Sequence, residues 1–309
     1  MRLIRSWSDF KKQGNGIALA IGNFDGMHLG HQAVLEKLRK EALRLGLIPA
    51  VMTFEPHPKD FFRPNEPHPK IFTLRDKVEA FTRENIELLF CVRFDAAFAK
   101  LEPEEFVGKV LCEKLGVRTV IVGSLFYFGK GGKASFADLK SICARRNIEA
   151  LSVDGVEADG KRVSSTHIRS LLLQGKFKEA TDFLGRPYTV SGRIAHGNAL
   201  GRTLGFPTAN VELHGLRLPL EGVFAVRVST LYGVFKGMCN AGVRPSVREE
   251  RKRYLLEAYL FDFTGDLYGT LVKITFVKKI RDEQKFQNLD ELKSRLFIDR
   301  QAAQVALDA

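Results

Sequence analysis

At about 100 to 200 residues per domain, a chain of 309 residues has room for two. Its 45% hydrophobic content suffices for two buried cores and excludes a largely disordered chain, and no apolar run approaches the ~18 residues of a membrane span. Lys and Arg total 48 against 36 Asp and Glu, a net charge of +12 that attracts anions of any kind, but the excess is scattered without a dense basic tract, so charge alone selects no partner. The opening residues MRLIRSWSDF lack the apolar core and cleavage site of a secretory signal, which predicts a cytoplasmic protein. Cys91, Cys112, Cys143 and Cys239 are far apart with no C-x-x-C pair, so neither a zinc site nor a disulfide framework is expected.

In chain order, short runs rich in Val, Ile and Phe at 17–21, 50–54, 88–94 and 119–122 alternate with helix-like stretches. Leu35, Leu38, Ala42 and Leu45 form one helical stripe between the first two runs. Such alternation predicts a doubly wound parallel α/β sheet. Helical patterning continues through Ile168, Leu171 and Leu172 and through Phe177, Ala180, Phe183 and Leu184, until Gly185-Arg186-Pro187 ends it. A domain boundary is expected there, giving units 1–184 and 185–309. Beyond it, runs at 188–194, 223–228, 234–238, 254–263 and 270–277 are separated by Gly-containing turns without helices, which predicts a small antiparallel β-barrel. A closing helix is expected from about Asp290, with Asn288 as cap, Glu291 three residues on, and Leu289, Leu292 and Leu296 as its stripe.

Gly22-Asn23-Phe24-Asp25-Gly26-Met27-His28-Leu29-Gly30-His31 falls where the first strand gives way to the first helix. Free amides and the positive end of the helix dipole point outward there, and Gly22, Gly26 and Gly30 let backbone approach a phosphate. His28 and His31 are three apart, so both imidazoles can face the same oxygens if the helix starts near Leu29. Nucleotidyl transfer needs positioning and electrostatic stabilisation, so no Ser or Cys nucleophile is required. The string G-x-F-D-G-x-H-x-G-H resembles the nucleotidyltransferase signature of the bacterial bifunctional riboflavin kinase/FAD synthetase family. Val163-Ser164-Ser165-Thr166-His167-Ile168-Arg169 resembles that family's I-S-S-T-x-I-R, which implies phosphate binding by Ser164, Ser165 and Thr166 and charge neutralisation by Arg169. The segment 53–58, Thr-Phe-Glu-Pro-His-Pro, resembles F-E-P-H-P, and its prolines serve a rigid turn or a ligand equally well. Gly123-Ser124-Leu125-Phe126-Tyr127-Phe128-Gly129 resembles G-x-D-F-x-F-G, with Leu125 where the family usually has an acidic residue or Asn. An isobutyl group cannot replace that polarity, which leaves open a riboflavin kinase with a weakened adenylyltransferase domain. Gly129 to Lys133 does not fit a P-loop and reads as a flexible basic loop.

In the second half, the glycines Gly197, Gly201 and Gly205 can wrap a triphosphate, ahead of Phe206-Pro207-Thr208-Ala209-Asn210. Thr208 and Asn210 project to the same side of an extended chain, where their oxygens suit a hard ion such as Mg2+. Glu257 shares a strand face with Leu255, Tyr259 and Phe261, and a carboxylate on an apolar face is costly unless functional, paired or at a strand end. G-x-x-L-G-x-P-T-A-N resembles the riboflavin kinase signature of the same family. The resemblance implies that Glu257 is the base that accepts the proton of the ribityl 5'-hydroxyl as it attacks the γ-phosphate of ATP. It further implies a flavin surface from Asn240 and Arg244 in N-x-G-x-R-P-T and from Arg281, Glu283 and Phe286 in I-R-x-E-x-K-F. The family motifs run from Gly22 to about Ala303.

The implied whole is a nucleotidyltransferase-like, Rossmann-like α/β domain followed by a riboflavin kinase barrel with a C-terminal helix. Its expected substrates are riboflavin, FMN and ATP with Mg2+, and neither nucleic acid nor membrane is expected as a partner. A basic RNA-binding protein is the remaining alternative from another class. No basic tract with interleaved aromatics and no RNP or KH signature supports it.

Overall fold

Strands that are apolar along their whole length must be covered on both faces, which favours a parallel sheet flanked by helices. The computed structural model, which describes residues 1–12, 14–66, 68–196, 205–244 and 253–309, contains such a sheet. It is built from β1 (Arg2–Ile4), β2 (Ile17–Ile21), β3 (Ile48–Glu55), β4 (Leu88–Arg93), β5 (Val117–Gly123) and β6 (Glu149–Val153) in the order β1-β4-β3-β2-β5-β6. Every pairing is parallel. From β2 the chain winds one way through β3 and β4, then the other way through β5 and β6. The crevice beyond the carboxyl ends of β2 and β5 is therefore the topological switch point, where ligands of open α/β sheets dock.

The helices between these strands are α1 (Leu29–Leu45), α2 (Pro58–Phe62), α3 (Leu74–Arg83), α4 (Ala96–Ala99), α5 (Pro103–Glu105), running on into wider-wound turns at Phe106–Leu115, and α6 (Phe136–Ala144). A small hairpin, β7 (Glu157–Ala158) with β8 (Lys161–Arg162), comes next. Helix α1 buries Val34, Leu35, Leu38 and Ala42, but the expected stripe does not extend to Leu45, which is exposed. Leu45 is the last residue of α1, and Gly46 at φ 64 turns the chain away just beyond it. In the loop expected to be flexible and basic, Gly129 lies against Pro103 and Lys130 Nζ is 2.9 Å from the Glu102 carboxylate.

The barrel closes through β9 (Thr189–Ala195), β10 (Ala209–Glu212), β11 (Gly222–Thr230), β12 (Gly233–Arg244), β13 (Arg253–Leu260) and β14 (Leu271–Arg281), in the order β10-β13-β12-β11-β14-β9, and every pairing is antiparallel. Helices α7 (Ser165–Leu173), α8 (Phe177–Leu184) and α9 (Leu289–Asp308) accompany it. Contacts divide the chain into one unit of Met1–His68 with Lys77–Ser164 and another of Pro69–Asp76 with Ser165–Ala309. This division falls earlier than the expected boundary at 184/185, although Gly185 does end α8. Apolar packing is the cause. Phe177 of α8 stands 5.7 Å from both Phe224 and Phe276 and stacks on Tyr188, so α8 is part of the barrel's core.

Asn288 caps α9, its Oδ1 accepting the amide of Glu291 at 2.8 Å, as expected. The stripe is met in part: Leu296 packs on the core with Ala303 and Leu307, whereas Leu289 is exposed and Asp299 also faces inward. The Asp299 carboxylate accepts hydrogen bonds from Arg281 Nε and Nη2 at 2.8 to 3.0 Å, with Arg295 3.2 Å away. This pairing sets which face of α9 turns inward. Asp299→Ala would leave the partly buried Arg281 guanidinium without its counter-charge, so a loss of about 3 kcal/mol in the second unit is expected. Urea unfolding followed by near-UV dichroism checks it.

Candidate functional site

The ladder of β2 ends as Gly22 donates its amide to Met52 O at 3.1 Å. The chain then coils tightly: Phe24, Gly26 and Met27 have φ of 48, 91 and 43. Positive φ is strained for Phe and Met, and burial is what holds it. The Phe24 ring is 1% exposed and meets Phe81 edge-on at 5.2 Å. A Cβ on Gly22 would stand 3.1 Å from that ring, a tight contact against a buried neighbour. Asp25, also 1% exposed, lies in the same coil.

Helix α1 begins at Leu29 with His28 as its cap. The carbonyl of His28 accepts the amides of His31 and Gln32 at 2.8 and 3.0 Å, and its Nδ1 accepts the His31 amide at 3.3 Å. With Nδ1 as acceptor, the neutral ring carries its proton on Nε2. The rings of His28 and His31 stack at 3.6 Å and 14°. Gly30 leaves room for this, since a Cβ would press on the His28 ring at 3.3 Å. Two stacked imidazoles thus stand at the N-terminus of a 17-residue helix, beside the switch point, an arrangement suited to a polyphosphate.

In the barrel, Glu257 of β13 is in register with Asn210 of β10 on one side and Asn240 of β12 on the other. Residues directly opposite in neighbouring strands share a face at about 5 Å, so a half-buried carboxylate is flanked by two amides. The same face continues to Tyr259 and Phe261, which with Phe206, Ala303 and Leu307 form the core beneath α9. Phe206 packs on Tyr259 at 5.2 Å and on Phe297 at 5.0 Å, anchoring the segment that carries Pro207, Thr208 and Asn210. A cavity of about 260 Å³ borders Pro207, Thr208, Ala258 and Leu260. Thr208, Asn210 and Glu257 offer oxygen donors only, the chemistry a hard divalent ion selects.

Two family models match these two regions separately: FAD synthetase over residues 10–167 and riboflavin kinase over residues 184–307. The chain belongs to the bifunctional riboflavin kinase/FMN adenylyltransferase family. Curated relatives of that description include those of Haemophilus influenzae, 38% identical with 98% of each chain covered, and Pseudomonas fluorescens, 39% identical with 98% of this chain and 97% of the relative covered. The relative from Escherichia coli K12 is 38% identical, with 98% and 97% covered. A crystal structure from Streptococcus pneumoniae, described as a macrolide-efflux protein, shares the fold with a TM-score of 0.78 at 30% identity over 98% of both chains. Among the described residues here, no helix is long and apolar enough to cross a membrane.

The family's first signature is thus one continuous loop, and it brings Gly22, Phe24, Asp25, Gly26, His28, Gly30 and His31 together. Ser164 closes the first unit, whereas Ser165, Thr166 and Arg169 open α7 in the second. Arg169 is buried and donates Nε–H to Pro69 O at 2.8 Å, tying α7 to the segment 69–76. Gly205 has φ 84 at the start of the described part of the kinase signature, and Gly197 and Gly201 lie outside the described residues. So does the Arg244 side chain. The Glu283 carboxylate reaches over Gly242 and occupies the space that a Cβ would take there. Arg281 is committed to Asp299 and lies 5.6 Å over the Phe286 ring, so its charge shapes the loop instead of being offered outward.

The exposed aromatic surface of the first unit escaped sequence reasoning. Phe62 after β3 is 61% exposed, and Leu125 and Tyr127 after β5 are each 62% exposed. Phe54, Phe61 and Phe62 converge on Phe94 at 5.5 to 5.9 Å. A total of 24 phenylalanines was the available signal, but composition does not say which of them meet. His57, from the F-E-P-H-P segment, caps α2 through Nδ1.

Proposed function

We propose that the barrel phosphorylates riboflavin to FMN and that the parallel-sheet domain transfers AMP from a second ATP to FMN, yielding FAD and pyrophosphate. One observation carries the reading: the row Asn210, Glu257, Asn240 sets a carboxylate in register between two amides, on the face that continues to Tyr259 and Phe261. Glu257 accepts the proton of the ribityl 5'-hydroxyl, whose oxygen bonds to the γ-phosphorus as the bond to the bridging oxygen of ADP breaks. Thr208 and Asn210 would hold Mg2+, which when bound would neutralise charge on the phosphates of ATP. Asn240, Arg244, Glu283 and Phe286 border the flavin. In the first domain the phosphate of FMN is already an anion near neutral pH and attacks the α-phosphorus without a base. His28 and His31 donate hydrogen bonds to the departing pyrophosphate oxygens, helped by amides of the loop that follows Gly22. Phe62, Leu125 and Tyr127 offer the apolar surface an isoalloxazine ring requires. Both reactions are placed in the cytoplasm, with the functional division near residue 184.

Chromatography of riboflavin, ATP and Mg2+ incubated with the purified chain should give FMN first and FAD second. FMN supplied with ATP but never converted to FAD would remove the adenylyltransferase half. Thr208→Ala should raise the Mg2+ concentration for half-maximal FMN formation about tenfold, with riboflavin binding unchanged. A Mg2+ titration of kinase rate checks it, and an unshifted midpoint removes Thr208 from the metal's surroundings.

A further inference from the structure

A second cavity, of about 330 Å³, lies at the outer edge of the parallel sheet. It opens at the carboxyl ends of β1 and β4: Arg5 and Trp7 come just after β1, Arg93 ends β4, and Phe90 of β4 and Phe98 of α4 complete its walls. Strand β3 separates β4 from β2, so the cavity is two strand spacings, about 10 Å, from the strand that leads into the histidine loop. None of its lining residues belongs to a motif of either signature.

The walls are aromatic and the rim is cationic. Phe90 is 1% exposed and stands 6.4 Å from Trp7. The side chains of Arg5 and Arg93 are exposed and make no hydrogen bond or ion pair among the described residues, although Glu55 stands opposite Arg93 in the ladder. Lys114 adds an ammonium 5.7 Å from the centre of the Trp7 ring. The carboxylate on the lining, Asp95, is occupied: its Oδ1 accepts the amides of Ala97 and Phe98 at 3.0 and 2.9 Å. A neutral apolar guest would satisfy the walls and leave both guanidiniums unmatched, and a small hydrated anion would do the reverse. A ring bearing negative charge satisfies both.

We infer that this cavity binds a planar aromatic anion, its ring among Trp7, Phe90 and Phe98 and its carboxylate, sulfonate or phosphate held by Arg5 and Arg93. The volume falls within the range of small-molecule sites.

Trp7 is the chain's single tryptophan, so its emission reports on this cavity. The probe is anilinonaphthalene sulfonate, titrated into the full-length protein with selective excitation of tryptophan. Saturable energy transfer at one probe per chain is expected, about tenfold weaker in the R5A/R93A double variant, with FMN and FAD formation unchanged. The neutral anilinonaphthalene, lacking the sulfonate, should bind the unaltered protein about tenfold more weakly, a comparison that needs no variant. Absence of transfer, equal affinity for the charged and neutral probes, or displacement of the probe by uncharged riboflavin would each overturn the assignment.

Discussion

Glu257→Gln should lower the turnover of FMN formation by about 10²- to 10⁴-fold, the usual contribution of a general base, while supplied FMN is still converted to FAD. The substitution is chosen for what it keeps. Gln has nearly the shape of Glu and can hydrogen-bond to the neighbouring Asn210 and Asn240 across the ladder, so the face beneath α9 stays packed. It cannot accept a proton from an alcohol. The loss should therefore fall on kcat, with KM for riboflavin and ATP little changed, because substrate binding does not depend on proton transfer. An unaltered kcat would eliminate Glu257 as the base and leave the row as a structural ladder. Loss of both activities together would contradict their assignment to separate sites.

The two sites use different residue types because their nucleophiles differ. A ribityl hydroxyl is a poor nucleophile until its proton has somewhere to go, so the kinase face carries a carboxylate. The phosphate of FMN arrives already ionised, so the adenylylation loop carries donors and no carboxylate base is called for. Asp25 does not alter this, since at 1% exposure it lies inside the coil of its own loop.

The local parts of this arrangement were legible in the sequence. The loop from Gly22 to His31 could be placed because strand, glycines, cap and histidines are consecutive, and α1 starts where the spacing required. Glu257 could be placed on the face of Tyr259 and Phe261 because strand alternation is local too. What escaped depends on partners distant in sequence. Arg281 was read as a flavin-facing charge, and only the fold brings Asp299, 18 residues on, against its guanidinium. The segment 69–76 carries no pattern that assigns it to the second unit. Its attachment is made by Lys70 donating to Arg217 O at 2.8 Å and by Arg186 lying 4.6 Å over Phe72. Gly185-Arg186-Pro187 correctly stops a helix, but the contact-defined unit begins earlier, because the helix before it supplies a core residue such as Phe177.

His28→Ala should reduce FAD synthesis by about 10²- to 10³-fold, the loss typical of removing one donor that stabilises transition-state charge, with FMN synthesis preserved. A second effect accompanies it, because His28 is also the cap of α1. Losing a capping side chain costs about 1 kcal/mol, and a displaced helix start would by itself misplace His31. His28→Asn separates the two roles. Asparagine is a strong capping residue, so its side chain can accept the His31 amide in place of Nδ1 and restore the helix start, but its short amide does not reproduce the imidazole stacked 3.6 Å from His31. The Asn variant should therefore melt like the unaltered protein and remain as poor in FAD synthesis as the Ala variant. Recovery of FAD synthesis in His28→Asn would mean that the residue merely starts a helix, and the donor role would then rest on His31 and the loop amides alone.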